Sequence, residues 1–252
     1  MLNPWTMKME QFTAFSDMER RRLDELIARK QVAYAPKDDI IADGEHSANC
    51  HVVLSGLACR YKLLPDGRRQ IMAFLIPGDL CDAEIFVLKV MDHGVGAITP
   101  TTAALVPGGD MRALLRETSS LGEALWWGTM TDLGVLRERI IDEGRRNAYV
   151  RTAHLLYEML VRFRMVELTD GDSFPFPITQ TDLADATGLT PVHANRMLRK
   201  LRNAGLVDFA GGVVTVNDPP GLKQAAQFNG EYLHLDRVHD SAPVGQRAGD
   251  LI

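Results

Sequence analysis

Cysteine is scarce in this chain. Three occur in 252 residues, Cys50, Cys59 and Cys81. None sits at the C-x-x-C spacing of a zinc or redox pair. An odd number of thiols without a secretion signal reads as reduced cysteine, each a small buried hydrophobe. Residues 1–17 lack the charged-then-apolar pattern of a signal peptide, so residence in the cytoplasm is the expectation. No apolar run approaches the roughly 20 residues of a membrane helix. A basic surplus is also missing: the net charge is −5. That excludes a uniformly basic nucleic-acid binder and leaves room for a local basic patch. No phosphate-binding loop, dinucleotide glycine fingerprint or serine or cysteine nucleophile motif occurs. The chain is therefore not expected to be an enzyme.

What is present is an ordinary globular mixture, 46% hydrophobic and 24% charged, long enough for one large domain or two. Ser16 and Glu19 form a capping box that predicts a helix to about Lys30. From Gln31 to about Gly109 the texture is β-prone. Runs such as "HVVLSG", "LACRYKLL" and "QIMAFLI" alternate with turn signals, including "PDGRR" at Pro65–Arg69 and "IPGDL" at Ile76–Leu80. Short strands with glycine turns suggest a β-roll or jelly roll. A second capping box, Ser120 to Glu123, predicts a long helix to about Glu143. Trp126, Thr129, Leu133, Leu136 and Ile140 step by three and four along it, as dimer-helix positions do. A second stripe, Trp127, Met130 and Ile141, is assigned to covering the barrel. Gly134, mid-helix, points to a close helix approach. A further helix is expected over Asn147–Met165, with a loop at Glu167–Pro177.

The most specific pattern lies beyond that loop. Thr179 caps a short helix with Asp182 three positions on, and Gly188 permits a left-handed turn. Thr190 caps the next helix, Pro191 fills its first position and Gly205 ends it. Leu183, Ala184, Leu189, Ala194, Met197, Leu198 and Leu201 separate as the inner face. Val192, Asn195, Arg196 and Arg199 point outward. The strands of "GLVDFAGGVVTVND" flank Gly211-Gly212 and form a wing. This is a winged helix-turn-helix. The same geometry elsewhere makes plain helical subdomains with a solvated face; cap, glycine, proline and wing together favour double-stranded DNA. A short helix at Gly221–Phe228 and a tail at Asp236–Ile252 complete the chain.

With these residues in view the chain resembles the Crp/Fnr transcription regulators over about Ile40–Val216. "ITQTDLADATGLTPVHANRMLRKLRNAGLV" carries the specific match and "GEHSANCHVVLSGLACRYKLLPDGRRQIMAFLIPGDL" the looser one. The resemblance implies an α+β fold: a cyclic-nucleotide-binding-like β-roll sensor with its N-terminal helix (1–118), a dimerisation helix (119–145), a winged helix-turn-helix (146–235) and a tail (236–252). It implies a cytoplasmic homodimer on a palindrome, with recognition helices about 34 Å apart, and RNA polymerase as a further partner. Arg196 falls at the family's base-reading arginine. Thr179, Gln180, Thr190 and His193 fall near phosphates or base edges, and Lys200 near a phosphate. Pro191 and Val192 replace an Arg-Glu pair, so the operator should differ from the usual consensus.

The effector region departs from the family. Asp82-Ala83-Glu84 stands where the cyclic-nucleotide members have Gly-Glu, and Gly94-Val95 where they have Arg-Ser. No arginine lies between Arg69 and Arg112. Cyclic AMP in the usual mode does not fit, nor does an N-terminal iron–sulfur cluster, since no cysteine precedes Cys50. His51 and His93 are candidate haem ligands. The candidate pocket is Cys81, Asp82, Glu84, His93 and Gly94, its effector unknown. Cys81 is also a candidate redox thiol, opposed by the neighbouring carboxylate. Two alternatives stand beside this reading. One is a cupin-like metal enzyme using His46, His51, His93 and Glu84; the other is a ligand-independent DNA binder.

Overall fold

The structure, a computed structural model, describes residues 3–46, 48–82, 88 and 90–235. Glu84 and the tail assigned to 236–252 lie outside them. Two short helices come first, α1 (Pro4–Met9) and α2 (Asp17–Ala28). The Ser16 capping box forms, its hydroxyl accepting from Glu19 N while Glu19 accepts from Ser16 N. Seven strands follow: β1 (Gln31–Tyr34), β2 (Asp39–Ile41), β3 (Asn49–Ser55), β4 (Ala58–Leu63), β5 (Arg69–Leu75), β6 (Gly94–Ala97) and β7 (Thr101–Pro107). They pair antiparallel in two sheets, β1-β7-β3 and β2-β6-β4-β5, which close as a roll.

Period-2 alternation buries both faces of each sheet. Cys50 and Val52 of β3 join the apolar cluster under α1, α2 and the later helices, while Val53 points into the roll with Ile41, Leu75, Cys81 and Val95. On β5 the alternation is broken. Arg60 pairs with Ala73 and Tyr61 with Ile71, which leaves Met72 as an extra residue. This bulge lets Ile71 and Phe74, three apart, face the same side. Both belong to the cluster that contains the C-terminal domain's core. The hairpin turn at Pro65–Arg69 forms as its sequence predicts, with Gly67 at φ +84° and Leu64 N donating to Arg68 O.

Helix α3 (Gly108–Glu117) was not expected. It starts without a side-chain cap after Pro107, so the usual start signal is missing. The second capping box is also corrected. Helix α4 (Ser119–Gly144) has already begun at Ser119, and the Ser120 hydroxyl donates to Glu19 Oε1 at 2.8 Å, tying α4 to α2. The barrel-covering stripe of α4 is corrected too. Leu121, Ala124 and Val135 face inward, whereas Trp127 packs against His234 and Ile141 is exposed.

Helix α5 (Ala148–Met165) follows, capped by Asn147. The loop at 167–177 contains a strand, β8 (Ser173–Pro175). It joins the wing strands β9 (Val207–Ala210) and β10 (Val213–Val216) in the order β8-β10-β9. Helices α6 (Gln180–Thr187) and α7 (Pro191–Asn203) lie between, and α8 (Pro219–Ala225) ends the domain. A 3-10 turn, Gly230–Leu233, returns to α4. A Cβ at Gly134 would lie 2.8 Å from the Tyr232 carbonyl oxygen. The close approach that Gly134 admits is therefore to this turn. Among the described residues no helix is long and apolar enough to cross a membrane.

Charged side chains are buried where α4, α5 and the returning turn meet. Glu158 is fully buried and accepts from Arg139 Nη2 and from the Tyr232 hydroxyl, both at 2.9 Å. Arg162 bridges Glu158, at 3.5 Å, to Asp79 of the roll, at 2.8 Å. Asp79 also holds Lys8 of α1. Burial holds the His154 imidazole below its ordinary pKa, and its ring lies between Glu138 and Asp142, against Phe228 and Tyr232.

Candidate nucleic-acid interface

The helix-turn-helix is built by local signals. Thr179 Oγ1 accepts from Asp182 N, and Asp182 Oδ2 accepts from Thr179 N, satisfying donors at the start of α6. Gly188 takes φ +59°, a conformation that costs a side-chain-bearing residue about 1–2 kcal/mol. Thr190 Oγ1 accepts from His193 N to begin α7 with Pro191 at its first position. Gly205, at φ +71°, ends it, with Leu206 N donating to Leu201 O. Ala184 and Ala194 are buried in the core; their small side chains suit a close helix crossing.

That seating decides which face is free. Ala194, Met197 and Leu201 are buried, one turn apart, and Leu198 is half-buried beside them. On the opposite side Thr190, Pro191, Val192, Arg196, Arg199 and Lys200 are exposed, and His193 and Asn195 half-exposed. Val192 is 82% exposed, on the outer face of α7. Thr179 and Gln180 are exposed at the start of α6, and with Asn195 and Arg199 they line one concave surface. Of the ten residues assigned to DNA, eight are exposed and two half-exposed. Among the described residues no carboxylate pairs with Arg196, Arg199 or Lys200. Arg202 is different: it donates to Phe209 O at 3.0 Å and faces Asp208 at 3.6 Å, so it ties the wing to α7. Gly211 and Gly212, both at positive φ, turn the wing.

The five residues assigned to an effector pocket do not form one lining. Cys81 and Asp82 are buried. Asp82 is committed to His51, accepting from its backbone N and meeting its ring Nδ1, each at 2.8 Å. Gly94 lies under the Tyr61 ring, where a Cβ would come within 2.6 Å of it. Glu84 is outside the described residues. His93 alone of the set lines a cavity, of about 260 Å3, between the roll and α4. That lining also includes Arg60, Met72 and Leu75 from the roll and Asp132 from α4, which the sequence does not mark, and Leu133 and Leu136, which it marks only as dimer positions. Arg60 joins the two walls, donating to Leu80 O at 2.7 Å and to Asp132 Oδ2 at 2.9 Å. Its signal would have been a charged residue in the buried half of β4, where Ala58, Cys59 and Arg60 are all buried.

Haem does not fit these residues. His51 is 4% exposed and packed within the roll, its ring Nδ1 on Asp82, which leaves no open face for a macrocycle, and the cavity beside His93, about 260 Å3, is of a size for a ligand much smaller than haem. Among the described residues no group of three or more His, Cys, Asp or Glu side chains is placed to hold a metal. All three thiols are buried. Burial pushes the Cys59 thiol up to about 12, and burial together with Asp82 raises Cys81 well above its ordinary value. The thiolate is the reactive form. Native protein is therefore expected to react with iodoacetamide at least ~100-fold more slowly than unfolded protein. Equal rates at Cys81 would restore it as a redox residue.

Comparison with known proteins agrees with both halves. Residues 31–118 match the cyclic nucleotide-binding domain family, and residues 150–225 the Crp-like helix-turn-helix domain family. The nitrogen fixation regulation protein FixK of Bradyrhizobium diazoefficiens is 28% identical over 203 residues, covering 78% of this chain and 82% of that one. The transcriptional activator protein FnrL of Cereibacter sphaeroides is 24% identical over 195 residues, 75% of this chain and 78% of its own. The structure of FixK2 from Bradyrhizobium japonicum superposes with a TM-score of 0.70 at 27% identity, covering 78% of this chain and 96% of that one.

Proposed function

The chain belongs to the Crp/Fnr family of DNA-binding transcription regulators, and from that premise we propose that it acts as a homodimer on a palindromic operator, under control of a signal read in the β-roll. One observation carries the dimer. Trp126 and Ile140 of α4 are 67% and 73% exposed, and Leu133 and Leu136 are exposed between them. Four large apolar side chains in one helical stripe are what a second α4 covers in a coiled pair. Thr129, half-buried, continues the stripe.

The same helix supports the control. Leu133 and Leu136 belong both to the stripe and to the wall of the 260 Å3 cavity. An occupant there bears directly on side chains that meet the partner, and so biases which dimer geometry is populated. Arg196 reads a base edge from the major groove. Asn195, Arg199 and Val192 flank it, and Lys200, Thr179, Gln180, Thr190, Pro191 and His193 meet the backbone or neighbouring edges. Regulation without catalysis follows, with RNA polymerase the partner that a regulator beside a promoter addresses.

Selection from random DNA tests this reading together with sedimentation. The expected outcome is a dimer that enriches a two-fold symmetric site. Ile140→Asp should make it monomeric and weaken that site by at least about 100-fold, since both half-sites must then be bound independently. A monomeric wild type, or enrichment of single half-sites only, would overturn it.

A further inference from the structure

The sensor grips the DNA-reading domain through a residue that the helix-turn-helix signature does not contain. Arg69 opens β5, at the foot of the β4–β5 hairpin. Its Nε donates to Asp185 Oδ2 at 2.8 Å and its Nη2 to Asp182 Oδ1, both on α6. The side chains are 28%, 21% and 11% exposed, so the contact is sheltered from solvent screening. Beside it the bulged face of β5 meets the same domain: Phe74 packs edge-on to Phe176 with ring centroids 5.0 Å apart.

Two features make this more than a surface ion pair. First, Asp182 is shared. Its Oδ2 accepts from Thr179 N and from Thr179 Oγ1, at 2.9 and 2.7 Å, while its Oδ1 takes Arg69. The carboxylate that fixes the start of α6, next to the exposed Thr179 and Gln180, is thus itself held by the sensor. Second, both acidic side chains of α6, Asp182 and Asp185, are spent on Arg69. Uncompensated, two carboxylates repel a polyanion. The Arg69 guanidinium offsets one of their two charges, while Arg196, Arg199 and Lys200 stay free on α7. Among the described residues the DNA face stays uncovered in this docked arrangement.

We propose that Arg69 is a positioning residue for DNA recognition: it clamps α6 to the sensor, and through the Gly188 turn sets α7 in its reading orientation. Because β5 also lines the cavity through Met72, Ala73 and Leu75, the strand that feels an occupant is the strand that ends in the clamp. This rests on reading α7 as the helix that enters the groove.

The test uses the full chain and the operator obtained by selection. Arg69→Gln is expected to weaken operator binding about 10-fold, within the range that coupling residues carry, measured well below the melting temperature so that the folded fraction is unchanged. It should also speed hydrogen exchange at α6 amides while leaving α4 unaffected. Exchanging the partners, Arg69→Asp with Asp185→Arg, should recover most of the affinity, which a packing defect would not allow. Should Arg69→Gln not fold, Asp185→Asn breaks one limb only and should give a smaller change of the same sign. Unchanged or increased operator affinity, or unchanged α6 exchange, would overturn the proposal. A wild type without operator preference would instead overturn the reading of α7, and α6 exchange would still decide the clamp without DNA.

Discussion

Arg196→Ala should abolish the preference for the operator over random DNA, while Lys200→Ala should weaken both alike. Arg196 is exposed on the outer face of α7, one turn beyond Val192, and no carboxylate holds it among the described residues. Its fork of donors is therefore available to a guanine edge, where a bidentate pair is worth about 1–3 kcal/mol of discrimination. Two half-sites in a dimer double that, so an operator loss of roughly 100-fold or more is the expected scale. Lys200 lies in the last turn of α7. A cation there meets phosphate, whose binding is independent of sequence and falls with salt. Titration of both variants on operator and random duplex at two salt concentrations measures the difference. Equal losses on both DNAs for Arg196→Ala would remove it from base reading.

The second large effect is on stability. Glu158→Ala should cost about 3 kcal/mol, since breaking a buried ion pair by removing one partner strands the other. Burial alone would raise the Glu158 carboxyl, but Arg139 and Arg162 hold it below its ordinary value, so the charged form is the one lost. Arg139 keeps Asp142 and Arg162 keeps Asp79, which places the cost at the lower end of the usual range. For a chain of this size that lowers the melting temperature by roughly 10 °C. Glu158→Gln, of the same shape, should lose less because it can still bond the Tyr232 hydroxyl. A loss below about 1 kcal/mol for the alanine variant would mean that water replaces the carboxylate.

The parts of the fold that were legible are those whose signals lie within a few residues. Thr179 and Asp182, Gly188, Thr190 with Pro191, and the Gly211-Gly212 turn each act on their own backbone, so the reader could be drawn from the chain alone. The α4 stripe was legible through its three-and-four spacing. Contacts made across the chain were not. Arg69 and Asp182 are separated by 113 positions, and nothing in "PDGRR" marks its last arginine as an anchor. Asp82 looked like a ligand group because its partner, His51, lies 31 residues earlier. The bulge at Met72, which turns Ile71 and Phe74 to one side, depends on a pairing register that neither strand carries alone. Helix α3 was missed because its start lacks the side-chain cap by which helices are usually found.

Ile71 and Phe74 of the roll lie in one apolar cluster with Phe163, Phe174 and Phe176 of the C-terminal half. The roll and the winged domain therefore share a core and are not expected to be interchangeable cassettes. A chimera joined at residue 147, with another family member's roll in front, would bring a foreign surface to Phe176 and a hairpin with no arginine for Asp182. Its winged domain would keep every residue assigned to DNA and still lack the wall it leans on. Exchange between relatives is expected to yield a folded chain only for halves whose β5 faces match.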